Sequence, residues 1–140
     1  MASRGAALAL LLVAVGCRST TTRRAADVVT SLVGTTWVAD GIEGAGVLAG
    51  VPSTLTFESA ERVVGSTGCN QYFAPLTLVG TALRFGPAGS TRRACSPAIM
   101  DQERRFLAAL ETVRTYRVHD GVLSLLDEDA RDLIRFTRAR

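Results

Sequence analysis

The sequence contains no lysine and only one histidine, and both absences limit the chemistry that the chain can support. All 16 basic residues are arginine, a bias that we attribute to a GC-rich genome rather than to a binding site. A Ser-His-Asp catalytic set would have to use His119, which lies beside a predicted turn, and the sequence has no glycine pattern of a nucleophile elbow. We interpret His119 as a solvated turn residue and predict no catalytic residue.

Residues that bind metals and phosphates are equally scarce. Metal sites need clusters of cysteine, histidine or carboxylate side chains. The acidic run Asp127-Glu128-Asp129 lacks the ligand spacing of a calcium loop, so it is predicted to form a solvated turn. No glycine-rich phosphate loop precedes a helix. The sequence therefore predicts no metal ion and no cofactor.

Positive charge is neither strong nor concentrated. The formal net charge of +3 falls by one when residues 1–16, which hold one arginine and no acidic residue, are removed. The arginine pairs at 23–24, 92–93 and 104–105 do not form the basic stripe of a nucleic-acid-binding protein. We therefore predict no nucleic-acid partner. The rest of the chain is long enough for one domain, which we expect to be monomeric.

The amino terminus has the order of residues that is typical of an export signal. A short positive start precedes the uncharged apolar run Gly5–Val15, which is too short for a membrane span of ~20 residues. The run ends in Ala14-Val15-Gly16-Cys17, which resembles a bacterial lipobox, although Ala14 replaces the usual leucine. We predict a lipoprotein signal peptide at 1–16 and acylation of Cys17. The alternative is an ordinary secretory signal followed by a chance cysteine.

The residues after Cys17 predict how the protein is placed in the envelope. Residues 17–31 are polar at first and lack a sustained period, so we interpret them as a flexible tether between the membrane and a domain at 32–140. Arg18 follows the lipid cysteine where an aspartate would favour retention at the inner membrane. By analogy with enterobacterial sorting, the periplasmic face of the outer membrane is favoured.

The three cysteines divide into one anchor and one pair. If Cys17 is acylated, Cys69 and Cys95 are left to bond with each other. Export makes a disulfide chemically reasonable, because disulfides persist in oxidising compartments. Gly68 and Asn70 flank Cys69 and tolerate positive φ, so we expect a kink or bulge that turns Cys69 inward. The bond should stabilise the fold by roughly 2–4 kcal/mol.

Hydrophobic periodicity predicts about eight short strands and one helix. Residues 54–58 alternate, residues 76–79 and 82–86 resemble a tight hairpin, and Asp120-Gly121 is a hairpin signal. Apolar residues at 99, 106 and 113 indicate an amphipathic helix over about 97–113, with Ser96 as a cap and Pro97 in the first turn. The predicted fold is α+β, a small antiparallel barrel-like sheet with the helix packed over one opening.

Three further stretches carry expectations about burial. Trp37, in a strand predicted at 32–39, is expected to be a core residue rather than a ligand platform. The four glycines of residues 40–50 predict a mobile loop, and residues 71–75 are expected to lead away from the strand that precedes Cys69. Glu103 lies beside the apolar stripe of the helix. It could cap a backbone group or merely border the core, and we favour the second interpretation.

These residues together resemble the META (HslJ-like) domain family over about Gly34 to Phe136. The resemblance depends on the combination of Gly-Cys-Asn-x-Tyr, Thr-x-x-x-Cys and Met-x-x-Glu-x-x-Phe, since each motif alone is weak. The residues that carry it are Trp37, Leu55–Phe57, Gly68, Cys69, Asn70, Tyr72, Thr91, Cys95, Met100, Glu103 and Phe106. It implies a barrel-like α+β fold and a role in the bacterial envelope, linked to stress or antibiotic tolerance. It implies no reaction.

Two classes of function remain open. The first is a non-enzymatic envelope lipoprotein, a stress-associated binding or assembly factor whose partner is a hydrophobic ligand, a lipid or another envelope protein. The second is a secreted, hydrolase-like enzyme whose site has no recognisable sequence motif. A cavity beside Trp37 and the glycine-rich residues 40–50 would favour the first class. Convergent polar groups with perturbed titration would favour the second.

Overall fold

The computed structural model describes Met1 and residues 32–140 of the chain. The predicted signal peptide at 1–16, the acylated Cys17 and the tether at 17–31 therefore lie outside the described residues, and these three predictions stay predictions. Within the described part of the chain, no helix has the length and apolarity needed to span a membrane.

The described residues form ten strands and one helix. The strands are β1 (Thr36–Ile42), β2 (Ala45–Gly46), β3 (Thr54–Phe57), β4 (Arg62–Ser66), β5 (Gln71–Val79), β6 (Ala82–Phe85), β7 (Gly89–Ser90), β8 (Thr115–His119), β9 (Val122–Leu126) and β10 (Asp132–Arg138). The helix, α1, spans Pro97–Thr112.

Eight of these strands form a closed antiparallel ring. The hydrogen-bonded order is β1-β3-β4-β5-β6-β8-β9-β10, and pairing of β10 with β1 closes the ring. The two-residue strands β2 and β7 are additions that pair with β1 and β5. Each of the eight strands therefore has a hydrogen-bonded neighbour on both sides, although β6 and β8 share one register pair, Ala82 with Thr115. The predicted α+β class and the barrel-like antiparallel sheet are confirmed.

Alternating side chains explain most of the strands. In β3, Leu55 and Phe57 are buried, while Thr54 and Thr56 are half-buried. The β8–β9 hairpin turns at Asp120 and Gly121, with φ of 49° and 75°. Two successive positive φ values match the turn that an Asp-Gly pair predicts.

Strand β5 is longer than its sequence indicates. The sequence predicts only that residues 71–75 lead away from the strand before Cys69, but they form the first half of β5, which runs without a break from Gln71 to Val79. Pro75 marks the point where β5 changes partners, since Pro75 pairs with Arg62 of β4 and Leu76 pairs with Phe85 of β6. The missing N–H of a proline costs least at such a change of ladder.

The predicted mobile loop at 40–50 is wrong in its first half. Strand β1 continues to Ile42 and turns at Glu43 and Gly44 into β2. Strand β1 also starts later than predicted, at Thr36. Leu32 and Thr35 precede the strand and are buried. Pairing with β10 holds the second half of β1 in the sheet, and the local glycine content does not reveal that pairing.

Helix α1 begins and ends close to the predicted residues and covers one side of the core. Pro97 occupies its first turn as predicted, but the Ser96 side chain makes no capping hydrogen bond. The Phe106 ring packs edge-on against Tyr72 and Phe136, with centroids 5.5 and 6.3 Å apart. These aromatic rings and the inward aliphatic side chains of the strands fill the interior of the ring.

Candidate functional site

Most of the residues singled out in the sequence meet at the junction of β4, β5 and the start of α1. The loop that holds Gly68, Cys69 and Asn70 contacts the segment before the helix through a Cys69–Cys95 disulfide, with a Cα–Cα distance of 6.0 Å. Glu103 of α1 reaches the same loop. Trp37 does not join this group.

Glu103 is a buried carboxylate at the centre of this cluster. Its side chain is 8% exposed, and the Asn70 amide donates to its two oxygens at 3.1 and 3.0 Å. The Thr67 hydroxyl donates a further, short hydrogen bond to Oε2. The favoured interpretation of Glu103 as a residue that merely borders the core was wrong. Helical periodicity places Glu103 beside the apolar stripe, but it cannot show that a polar loop packs there.

Asn70 joins the helix to the segment that carries Cys95. Its side-chain oxygen accepts hydrogen bonds from Arg93 N at 2.7 Å and from Thr91 Oγ1 at 2.8 Å. Its amide also donates to the Arg93 carbonyl at 3.1 Å. All polar atoms of the Asn70 side chain are therefore bonded within the protein. Of the two residues that tolerate positive φ beside Cys69, Gly68 adopts it and Asn70 does not.

Gly68 does have the expected positive φ, at 103°. A Cβ at this position would lie 2.7 Å from Val51 Cγ1 and 3.3 Å from Gln102 Nε2. Both the backbone conformation and the packing therefore require glycine here. Cys69 points inward, as predicted, and is 6% exposed.

Gln102 was missed in the sequence. It is fully buried and holds the turn at 48–51 against the helix. Leu48 N donates to its Oε1 at 2.7 Å, and its Nε2 donates to Val51 O at 2.9 Å and Ser53 Oγ at 3.1 Å. A signal was present, since Gln102 occupies a position of the apolar stripe four residues before Phe106. A polar residue in that position needs a buried partner.

The hydrogen bonds of this cluster hold the loops at 48–53, 67–70 and 91–93 against one another and against α1. The carboxylate, amides and hydroxyls of the cluster are bonded to one another, and no buried side-chain nitrogen or oxygen in the described residues lacks a partner. Glu103 is 8% exposed, and the hydrogen bonds of its carboxylate are made to Thr67 and Asn70. The cluster rigidifies the approach to α1.

Trp37 forms the floor of a separate pocket, with a volume of about 430 Å³. Trp37, Leu32 and Tyr116 are buried at its base, while Val118 and Arg138 are exposed at its rim. Trp37 is a core residue, as expected, since its side chain is buried. It also forms part of the pocket wall. The glycine-rich segment lines a different groove, of about 320 Å³, together with Asp132 and Arg135. Trp37 and residues 40–50 therefore share no cavity.

A third groove, of about 580 Å³, lies on the outer face of β3, β4 and β5. Its most prominent side chain is Phe73, which is 47% exposed, with the Arg62 guanidinium 4.9 Å from the ring centroid. Arg62 also pairs with Glu58 at 3.1 Å. Much of its lining is already hydrogen-bonded, as in the 3.0 Å contact between the hydroxyls of Thr36 and Thr56.

The titratable groups of the described residues do not converge. His119 is solvent-exposed and lies 3.1 Å from the Asp120 carboxylate, and no group of metal-ligating side chains occurs between residues 32 and 140. A hydrogen bond from the Arg131 backbone N–H lowers the pKa of Asp127, which closes the acidic turn. Burial raises the pKa of Tyr72 and of Tyr116.

Solved structures of similar fold support this architecture. An NMR structure of a protein from Burkholderia xenovorans is 25% identical, with a TM-score of 0.63 over 81% of this chain and 87% of that chain. A second NMR structure is 18% identical, with a TM-score of 0.61 over 77% of this chain and 92% of the other. A crystal structure of a DUF4847 family protein from Bacteroides vulgatus is 15% identical, with a TM-score of 0.56 over 79% and 96%. No protein of curated function matches the chain.

The family assignment depends on the same region that folds into the ring and helix. A family model described as the META domain matches residues 30–140. That range includes the disulfide, the Asn70–Glu103 cluster and the Trp37 pocket. The chain therefore belongs to the META domain family.

Proposed function

We propose that this META-domain protein is a lipoprotein of the bacterial cell envelope, anchored through Cys17 and acting by binding rather than by catalysis. The periplasmic face of the outer membrane is the favoured location. Its role is that of a binding or assembly factor in stress or antibiotic tolerance, and its partner is a hydrophobic ligand or an envelope protein.

The observation that carries this proposal is the Cys69–Cys95 disulfide. Such bonds persist in oxidising compartments, so the folded domain fits the outside of the cytosol. The bond also uses both cysteines of the domain, which leaves Cys17 as the single cysteine directly after an apolar export signal. Acylation of Cys17 gives that remaining thiol a chemical use.

Cell fractionation of the Cys17→Ser variant tests the anchor. The native chain should sediment with membranes and incorporate labelled palmitate, whereas Cys17→Ser should be soluble and unlabelled. Cys69→Ala is the matched control, because it also removes one thiol but should stay in the membrane fraction. Membrane association of Cys17→Ser equal to that of the native chain would count against lipidation.

The stress role is tested in a strain that lacks the gene. Survival under heat or antibiotic challenge should be restored by the native chain and not by Cys17→Ser at the same expression level. Full restoration by the soluble variant would separate the role from the anchor. Equal survival of the deletion and parent strains would contradict the tolerance role itself.

A further inference from the structure

The pocket above Trp37 combines an apolar floor with a polar route to solvent. It lies at one end of the strand ring, because it is bounded by β1, β8, the end of β10 and the turn between β5 and β6. Its volume of about 430 Å³ falls within the range of small-molecule sites, which often occupy the mouths of such barrels.

The floor presents hydrocarbon because its polar atoms are already bonded elsewhere. The indole Nε1 of Trp37 donates to Thr35 Oγ1 at 2.8 Å. The Tyr116 hydroxyl donates to the Gly80 carbonyl at 3.3 Å. Neither ring therefore offers a free hydrogen-bond donor to an occupant. An apolar group gains contact here, and a polar group would lose its water without replacement.

The rim is positive. Arg117 and Arg138 line the pocket, and none of its lining residues within 32–140 is acidic. Arg117 has a carboxylate partner, Asp132, at 3.6 Å across exposed surface. Among residues 32–140, no carboxylate lies within ion-pair distance of Arg138. A guanidinium in this position is suited to a carboxylate or phosphate oxygen.

We propose that this pocket binds a free, single-chain anionic amphiphile, with its tail on Trp37 and Tyr116 and its head group at Arg138. The proposal deepens the binding role proposed above and rests on it. The tail would displace only water from the floor. The head group would stay at the exposed rim, where it remains partly hydrated and meets the arginines.

Trp37 makes the proposal directly measurable, because it is the only tryptophan of the chain. The probe is 11-bromoundecanoate below its micelle concentration, since bromine quenches indole fluorescence on contact. The protein is the processed chain with Cys17→Ser, so that no acyl chain of its own competes. Quenching should saturate. In an unbrominated series used as competitors, each added methylene should tighten binding about fourfold.

Charge is tested with matched probes and matched variants. The trimethylammonium analogue of the same chain length should bind at least about tenfold more weakly. Arg138→Gln should weaken binding of the carboxylate about fivefold or more and reduce the preference for it over the ammonium. Arg84→Gln is the control, because Arg84 is also an exposed strand arginine but lies outside the pocket. Val118→Asp, at an exposed position on the rim, should abolish saturable quenching.

Three results would overturn the proposal. They are absence of saturable quenching, equal affinity for the anionic and cationic probes, and equal effects of Arg138→Gln and Arg84→Gln. Trp37 emission that depends on protein concentration but not on the probe would instead assign the pocket to a second copy of the chain. Quenching by vesicles of brominated phosphatidylglycerol but not by the free probe would assign it to membrane lipid. Each of these outcomes is independent of the Cys17 fractionation result.

Discussion

Replacing Asn70 is the clearest test of whether the buried polar cluster stabilises the fold. A polar residue at the surface could be replaced with little loss of stability. The Asn70 side chain bonds to a carboxylate in α1 and to the backbone of Arg93, so it holds two segments that are distant in sequence. Replacement by alanine leaves the Glu103 carboxylate buried with Thr67 as its remaining partner. The Arg93 N–H loses its acceptor at the same time.

The structure sets the size of the expected effect. The hydrogen bonds to Glu103 involve a charged group and contribute about 1.5–3 kcal/mol, and the two neutral bonds from Arg93 and Thr91 contribute about 1 kcal/mol each. Asn70→Ala should therefore lower the free energy of unfolding by about 3–5 kcal/mol. That is a large share of the ~5–15 kcal/mol of a typical domain. The melting temperature should fall by roughly 12–20 °C.

Urea denaturation of five chains gives the direct measurement. Four form a double-mutant cycle: the native chain, Asn70→Ala, Glu103→Ala and the double variant. The fifth, Gln71→Ala, is a control at an exposed neighbouring residue. The double-mutant cycle should yield a coupling free energy of about 1.5–3 kcal/mol between Asn70 and Glu103. A coupling below about 0.5 kcal/mol, or an Asn70→Ala effect equal to that of Gln71→Ala, would refute the stabilising role of the cluster.

Two other predictions follow from the same core. Replacing Cys69 or Cys95 by alanine should lower the free energy of unfolding by about 3 kcal/mol, because the disulfide closes a loop of 26 residues. The variants should melt at a lower temperature than the native chain under oxidising conditions only. Identical melting of the native chain with and without reductant would contradict this. Tyr72→Phe loses a 2.9 Å bond to the Thr54 carbonyl and should cost about 1 kcal/mol at pH 7, measured by urea denaturation. Because burial raises the pKa of Tyr72 above its unfolded value of 10.0, its contribution is complete below pH 10 and declines as the pH rises above it. The native chain should thus lose more stability than Tyr72→Phe between pH 9 and 11, and parallel losses would exclude Tyr72 as the cause.

The interior of the strand ring is filled with side chains, so we expect binding sites at its surface. In the described part of the chain, aromatic and aliphatic side chains occupy the centre of the ring, and the cavities lie at the surface grooves and at the Trp37 pocket. The Gly-Cys-Asn motif lies in a hydrogen-bonded cluster rather than at an open surface. Apart from Trp37, the residues that carry the family resemblance are therefore different from those that we propose meet a ligand.

Some elements could be predicted because their signals are local. Alternation in β3, the Asp-Gly turn between β8 and β9, and the proline at the start of α1 each depend on a few neighbouring residues. The disulfide followed from the number of cysteines once export was inferred. The burial of Glu103 and Gln102 could not be predicted in the same way. Their partners in the loops at 67–70 and 48–53 are more than 30 residues away in sequence.

By itself, the sequence determined the helix, most of the strands, the pairing of Cys69 with Cys95 and the membership of a family. Only the tertiary structure decided that β10 closes the ring onto β1, that β5 continues through Pro75, and that Trp37 lies under an open pocket. The physical reason is that hydrophobic periodicity reports which face of an element is buried. Which distant strand or polar group covers that face depends on long-range pairing, which leaves no local pattern.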